Sequence, residues 1–154
     1  MCSLTIMCSI AKNFMSDKVF FDTNILVYAF GVRRASLPDS RTEIAEELFA
    51  LGGVLSVQVL NEFVQVCRRK ADLSWEQITG ALEVVKELCG PVLPMTLDTH
   101  EAAMDLSRRY GYSIYDSLIL AAAREAGCST VYSEDMQCGQ TLGNLTIVNP
   151  FLGK

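Results

Sequence analysis

The sequence has little histidine, tryptophan or proline: 1 His, 1 Trp and 4 Pro in 154 residues. His100 has no second histidine near it. The 6 cysteines (Cys2, Cys8, Cys67, Cys89, Cys128 and Cys138) contain no C-x-x-C pair. These absences argue against a structural zinc site. They also leave no Cys/His or Ser/His arrangement for nucleophilic catalysis. Basic residues are outnumbered, 13 Lys and Arg against 18 Asp and Glu, for a net charge of −5. That balance counts against tight non-specific nucleic-acid binding, which needs a basic face. It suits carboxylates gathered around a cation, or a basic protein partner. No apolar run reaches the ~18–20 residues that span a bilayer. The stretch up to Asp17 lacks the basic start of a signal peptide and is interrupted by Lys12 and Asn13. A cytoplasmic protein with reduced thiols is expected.

Half of the residues are hydrophobic, enough for one buried core at the length of one ordinary domain. Residues 1–17 read as an N-terminal extension, either disordered or the product of a misplaced start, with Met15 as an alternative beginning. Residues 18–154 read as the domain.

Apolar runs alternate with helical stripes. Lys18 to Phe21 is a short buried strand, followed by a helix from Thr23 to Phe30. Ile44, Leu48 and Leu51 mark a second helix, stopped by Gly52 and Gly53. A strand at Val54–Val57 leads into a stripe of Val59, Leu60, Phe63, Val64 and Cys67. Ser74 and Gln77 form a capping box for the next helix, with Trp75 expected to pack at its start. Pro91–Met95 is a strand near a sheet edge. Asp98 and Glu101 open a further helix, and Ser113 opens another that runs to Gly127. Strands at Ser129–Tyr132 and Leu145–Val148 complete the pattern. The connections read as too long and too helical for hairpins. The expectation is an α/β fold: a doubly wound, parallel sheet of about five short strands with helices on both faces.

Ligands of such sheets bind beyond the carboxyl ends of the strands. Asp22 ends the first strand, Glu62 lies early in the helix after the second, Asp116 opens the helix before the fourth, and Asp135 follows the fourth. Four converging carboxylates repel one another unless a cation sits among them. All-oxygen donors suit Mg²⁺ or Mn²⁺. Each acid also has a plain structural reading. Asp22 can cap a helix, Glu62 can lie on a wet helix face, and Asp135 can be a turn residue. Asp116 completes an S-x-x-D box with Ser113, yet its helix is apolar nearly all round, where an unpartnered carboxylate is costly. Glu134 is a rival to Asp135, and strand alternation would let only one of them face the site.

Four motifs stand in order. Phe20-Phe21-Asp22-Thr23-Asn24-Ile25-Leu26-Val27-Tyr28 resembles the opening motif of PIN domains, and Asn61-Glu62-Phe63 resembles their second acidic motif. Tyr115-Asp116-Ser117-Leu118-Ile119-Leu120-Ala121-Ala122-Ala123 resembles the third. Val131 to Gln137, followed by Gly139, resembles the fourth. The nearest resemblance is to VapC-type toxins. It implies a metal-dependent endoribonuclease using Mg²⁺ or Mn²⁺, with Asp22, Glu62, Asp116 and Asp135 as catalytic and metal-binding acids. Asn24 and Ser133 would be accompanying polar residues. The implied reaction is in-line hydrolysis leaving a 5′-phosphate and a 3′-hydroxyl. Implied partners are RNA, a cognate antitoxin that sets a basic side chain in the acidic pocket, and a second copy of the chain.

Arg33 and Arg34, in a loop after the first helix, are the candidate RNA-phosphate contacts. Arg108 and Arg109 read as a solvated helix end. Tyr28, Tyr112 and Tyr115 are open to base stacking or packing. Apolar residues on the helices between positions 43 and 89 are interface material. Three rivals remain: a PIN ribonuclease of RNA processing, a silent PIN-like scaffold, and a phospho-receiver. The receiver needs an acid pair after strand one and a Lys near the last strand. Here Asp22 is followed by Thr23-Asn24, and Thr146 to Asn149 contains no Lys.

Overall fold

The computed structural model describes residues 17–32 and 40–153. Arg33, Arg34 and the extension up to residue 16 lie outside the described residues. Six short strands and six helices lie among the described residues, two helices after each of the first three strands and the last three strands in succession. They are β1 (Val19–Phe21), α1 (Thr23–Ala29), α2 (Ser40–Ala50), β2 (Leu55–Ser56), α3 (Val57–Lys70) and α4 (Trp75–Leu88). There follow β3 (Val92–Leu93), α5 (Leu97–Tyr110), α6 (Ile114–Glu125), β4 (Thr130–Tyr132), β5 (Thr141–Leu142) and β6 (Leu145–Val148).

One sheet has the order β1-β4-β6-β5, and β2 pairs with β3. A parallel bridge between Phe20 and Val54 joins the two. There the Phe21 N–H donates to the Val54 carbonyl at 3.1 Å, and the Val54 N–H to that of Val19 at 2.9 Å. The pairs β1–β4, β2–β3 and β4–β6 are parallel. From β1 the chain moves outward to β2 and β3, then returns to β4 on the other side of β1. The order therefore reverses between β1 and β4, the crevice where such sheets take ligands. Side chains of β1, all buried, and the apolar run Leu118–Ala123 of α6 meet in the core. An apolar α6 is what a helix pressed on the sheet requires.

The structure departs from the sequence reading in particular places. A hairpin does occur: β5 and β6 are antiparallel, turning at Gly143, whose φ of 67° favours glycine. Two residues are too few to give β5 a pattern. Thr96, not Asp98, caps α5, its hydroxyl accepting from the Thr99 N–H at 3.1 Å. Trp75 is not packed inside but 63 % exposed, with the Arg68 guanidinium 5.2 Å from its ring centroid. The first turn of an amphipathic helix need not turn its largest apolar group inward. The capping box at Ser74 and Gln77 forms in full. The Gly53 backbone lies so close to the Phe21 ring that a Cβ there would stand 2.7 Å from it.

Candidate active site

Parallel strands deliver their carboxyl ends to one mouth. Asp22 follows β1 and caps α1, its Oδ1 accepting from the Thr23 N–H at 2.6 Å. Its backbone N–H is tied to the carbonyl of Tyr132, the last residue of β4, at 3.0 Å. Asp22 is thus both the helix cap and a wall of the crevice. Ser133, next on the β4 side, is fully buried. Its hydroxyl donates to Asp22 Oδ2 at 2.6 Å and accepts the N–H groups of Asp135 and Met136, both at 3.2 Å. One hydroxyl therefore shapes the loop that carries Asp135 and aims Asp22.

Asn24 bridges two acids, its Nδ2 donating to Asp22 Oδ2 at 3.1 Å and Asp135 Oδ2 at 3.4 Å. Its Oδ1 is buried without a hydrogen-bond partner. Glu62 projects from α3. Its Oε2 accepts from the Thr23 hydroxyl at 3.0 Å and its Oε1 from Gln58 Nε2 at 2.8 Å. Asp116 stands in the first turn of α6, where the Ser113 hydroxyl accepts its N–H at 3.1 Å.

Asp22, Glu62, Asp116 and Asp135 all line one cleft, with Asn24 and Thr23. Glu134 lines it too, contrary to the expectation that only one of Glu134 and Asp135 would face it. The strand ends at Tyr132, so alternation no longer governs these residues. Glu134 is held away from solitary charge: Tyr28 Oη donates to its Oε2 at 2.7 Å and Arg41 Nη1 to its Oε1 at 2.5 Å. Gln58, Thr23 and Arg41 were missed in the sequence. Gln58 was within reach of an argument, since it stands four residues before Glu62 on one helix face.

The acids sense one another. Burial pushes Asp22 up from 3.8 to about 7; the hydrogen bonds from Ser133 and Thr23 oppose this, and the charges of Glu62 and Asp116 add to it. Asp116 is also raised, first by burial and then by Asp135, with Ser113 opposing. Such mutual repulsion is what a cation relieves.

Other expectations resolve as follows. Tyr28 is buried, with Phe151 edge-on at 5.1 Å, and so packs. Tyr112 is partly buried and its hydroxyl bonds Gln140. Tyr115, beside Asp116, is 61 % exposed. Arg108 and Arg109 pair with Asp105 at the exposed end of α5. His100 is exposed on the same helix. Cys67, Cys89, Cys128 and Cys138 are free thiols.

The profile of the PIN domain family matches residues 19–139. The chain belongs to the PIN domain family. Curated protein sequences give no match. Among solved structures, it is similar to VapC20 of Mycobacterium tuberculosis, described as a sarcin-ricin loop cleaving toxin. That likeness has a TM-score of 0.61 and 22 % identity, over 77 % of this chain and 90 % of that one. It is also similar to a chain of VapBC2 from Rickettsia felis, solved bound to a DNA fragment from their promoter. Here the TM-score is 0.55 and the identity 21 %, over 84 % of this chain and 96 % of that one.

Proposed function

We propose that this chain is a divalent-metal-dependent endoribonuclease and the toxin of a type II toxin–antitoxin pair. One observation carries the reading: four acids from separate elements share a cleft in which burial and mutual repulsion hold Asp22 at about 7. A fold has no structural need for that arrangement.

The residues fit Mg²⁺ or Mn²⁺. The acids of the cleft lining offer oxygen donors, and Asn24 beside them has a buried Oδ1 without a hydrogen-bond partner. No three Asp, Glu, His or Cys side chains among the described residues are gathered tightly enough to enclose an ion. Mg²⁺ needs no such cage, since it keeps several waters and takes one or two carboxylates. One or two of Asp22, Glu62, Asp116 and Asp135 would ligate it directly, and the others would reach it through its waters. When bound, it supplies a more acidic water and neutralises charge on the phosphodiester.

The chain's own groups supply orientation. Ser133 and Asn24 fix the Asp22 carboxylate, and Thr23 and Gln58 fix both oxygens of Glu62. Asp135, exposed at the rim, is open to accept the proton of an attacking water. Attack in line with the ribose 3′ oxygen leaves a 3′-hydroxyl and a 5′-phosphate.

VapBC2 is the support for a cognate antitoxin. Among the described residues the cleft lining carries Asp22, Glu62, Asp116, Glu134 and Asp135 against Lys70, and that imbalance suits an incoming arginine or lysine. Exposed apolar groups on α3 to α4 and just after α2, namely Leu51, Val57, Trp75, Val84 and Leu88, are material for that contact or for a homodimer. No helix among the described residues is long and apolar enough to cross a membrane.

The test is incubation of the purified protein with total RNA, with Mn²⁺ or with chelator, beside Asp116→Asn. Metal-dependent cleavage lost in the variant supports the reading. Equal cleavage by both proteins contradicts it, and inertness of both on all RNA favours a scaffold.

A further inference from the structure

The acids explain hydrolysis but not how a polyanion is held against them. The five acids of the cleft lining repel phosphate, and a bound cation acts only where it sits. Among the described residues the same lining contains one cation, Lys70, the last residue of α3.

Glu62, Val66 and Lys70 follow one another at four-residue steps along α3, and all three line the cleft. Eight residues at the helical rise set Lys70 about 12 Å beyond Glu62 along the axis. Val66 stands midway between them on α3, and with Val27 of α1 it supplies the aliphatic part of the lining. Along α3 the cleft wall therefore runs from a carboxylate past an aliphatic side chain to an ammonium group.

The ordinary explanation of Lys70 is compensation of the helix dipole by a basic last turn, which also holds Arg68 and Arg69. That turn is divided, however. Arg68 is engaged elsewhere, donating to the Leu73 carbonyl at 2.7 Å and stacking over Trp75. Lys70 makes no ion pair among the described residues, is exposed, and faces the cleft. Dipole compensation needs only proximity to the helix end, so it gives no reason for this direction.

We infer that Lys70 holds a backbone phosphate flanking the scissile bond, so that single-stranded RNA lies along α3 with the intervening ribose and base over Val27 and Val66. This rests on the ribonuclease reading. Lysine suits a point contact to a phosphate whose neighbours must slide through. Such a contact carries no sequence information and sets where along the strand the acids act.

The experiment uses a fluorescent single-stranded oligoribonucleotide and the Asp116→Asn protein in chelator, to suppress turnover, with and without Lys70→Gln and Lys70→Arg. Anisotropy is read from low to moderate salt. Lys70→Gln is expected to weaken binding several-fold. It should make the slope of log K against log salt shallower by about 0.7, the release from one phosphate contact on a single strand. Lys70→Arg is expected to restore both. Neutral methylphosphonate linkages, placed one at a time, should reveal one position that weakens binding to the Lys70 protein but not to Lys70→Gln. Equal affinity and equal slope in Lys70→Gln would overturn the inference and leave the ribonuclease reading standing. RNA binding that depends on Lys70, with no metal-dependent cleavage by the wild type, would overturn the ribonuclease reading instead.

Discussion

Replacing Asp22 with Asn removes a charge that the metal-free fold tolerates poorly. Burial takes its carboxyl from 3.8 to about 7, and each unit corresponds to about 1.4 kcal/mol. Ionised Asp22 therefore destabilises the folded, metal-free protein by about 4 kcal/mol as an upper figure. Between these two values the folded chain keeps a proton that the unfolded chain has lost. Wild-type stability should fall as pH rises from about 4 to about 7, then level off. Asparagine has no such proton, so the variant lacks this slope. It also loses acceptance at Oδ2 from Ser133 and Asn24, at about 1 kcal/mol each. The expected net is a variant about 2 kcal/mol more stable than wild type at pH 8, or about 4–8 °C in Tm. The lost hydrogen bonds weigh equally at every pH, so the pH dependence isolates the charge. The gap should widen by about 2–3 kcal/mol from pH 5 to pH 8. Urea unfolding in EDTA across that range measures it. A gap that stays constant would refute the argument, whichever protein is the more stable.

Other outcomes follow from the same geometry. Ser133→Ala deletes the donor to Asp22 and the acceptor for two backbone N–H groups. It should cost about 2–3 kcal/mol in urea unfolding and move the Asp22 pH profile upward. Gln58→Met leaves Glu62 oriented by Thr23 alone; cleavage should fall about 10- to 100-fold with the circular dichroism spectrum unchanged. Gly53→Ala forces a methyl against the Phe21 ring and should destabilise by about 1–3 kcal/mol, read as a lower urea midpoint at constant m.

The sequence revealed those features whose signal is local. Asp22 ends an apolar strand, Asp116 interrupts an apolar helix, and the capping residues at Ser74 and Ser113 precede their helices by the required spacing. What remained hidden depends on partners distant in sequence. Thr23 reaches Glu62 across 39 positions, and Arg41 reaches Glu134 across 93. Trp75 was misjudged because periodicity says which face is apolar but not whether another element covers it. Glu134 was set aside by an alternation that ends with the strand, one residue before Ser133. In sequence Lys70 is one more cation of a basic helix end, and only the cleft distinguishes it from Arg68 and Arg69.

The most direct measurement is the single-turnover cleavage rate of one mapped RNA against Mn²⁺ concentration, for wild type and Asp116→Asn. If the four acids form one cation-holding hydrolytic centre, the wild-type rate saturates with Mn²⁺ and vanishes in chelator. The variant should then be slower by about 100-fold or more, the scale of losing an electrostatic contact at the reacting centre. A wild-type rate indifferent to chelator, or a variant that cleaves as fast, would contradict the assignment.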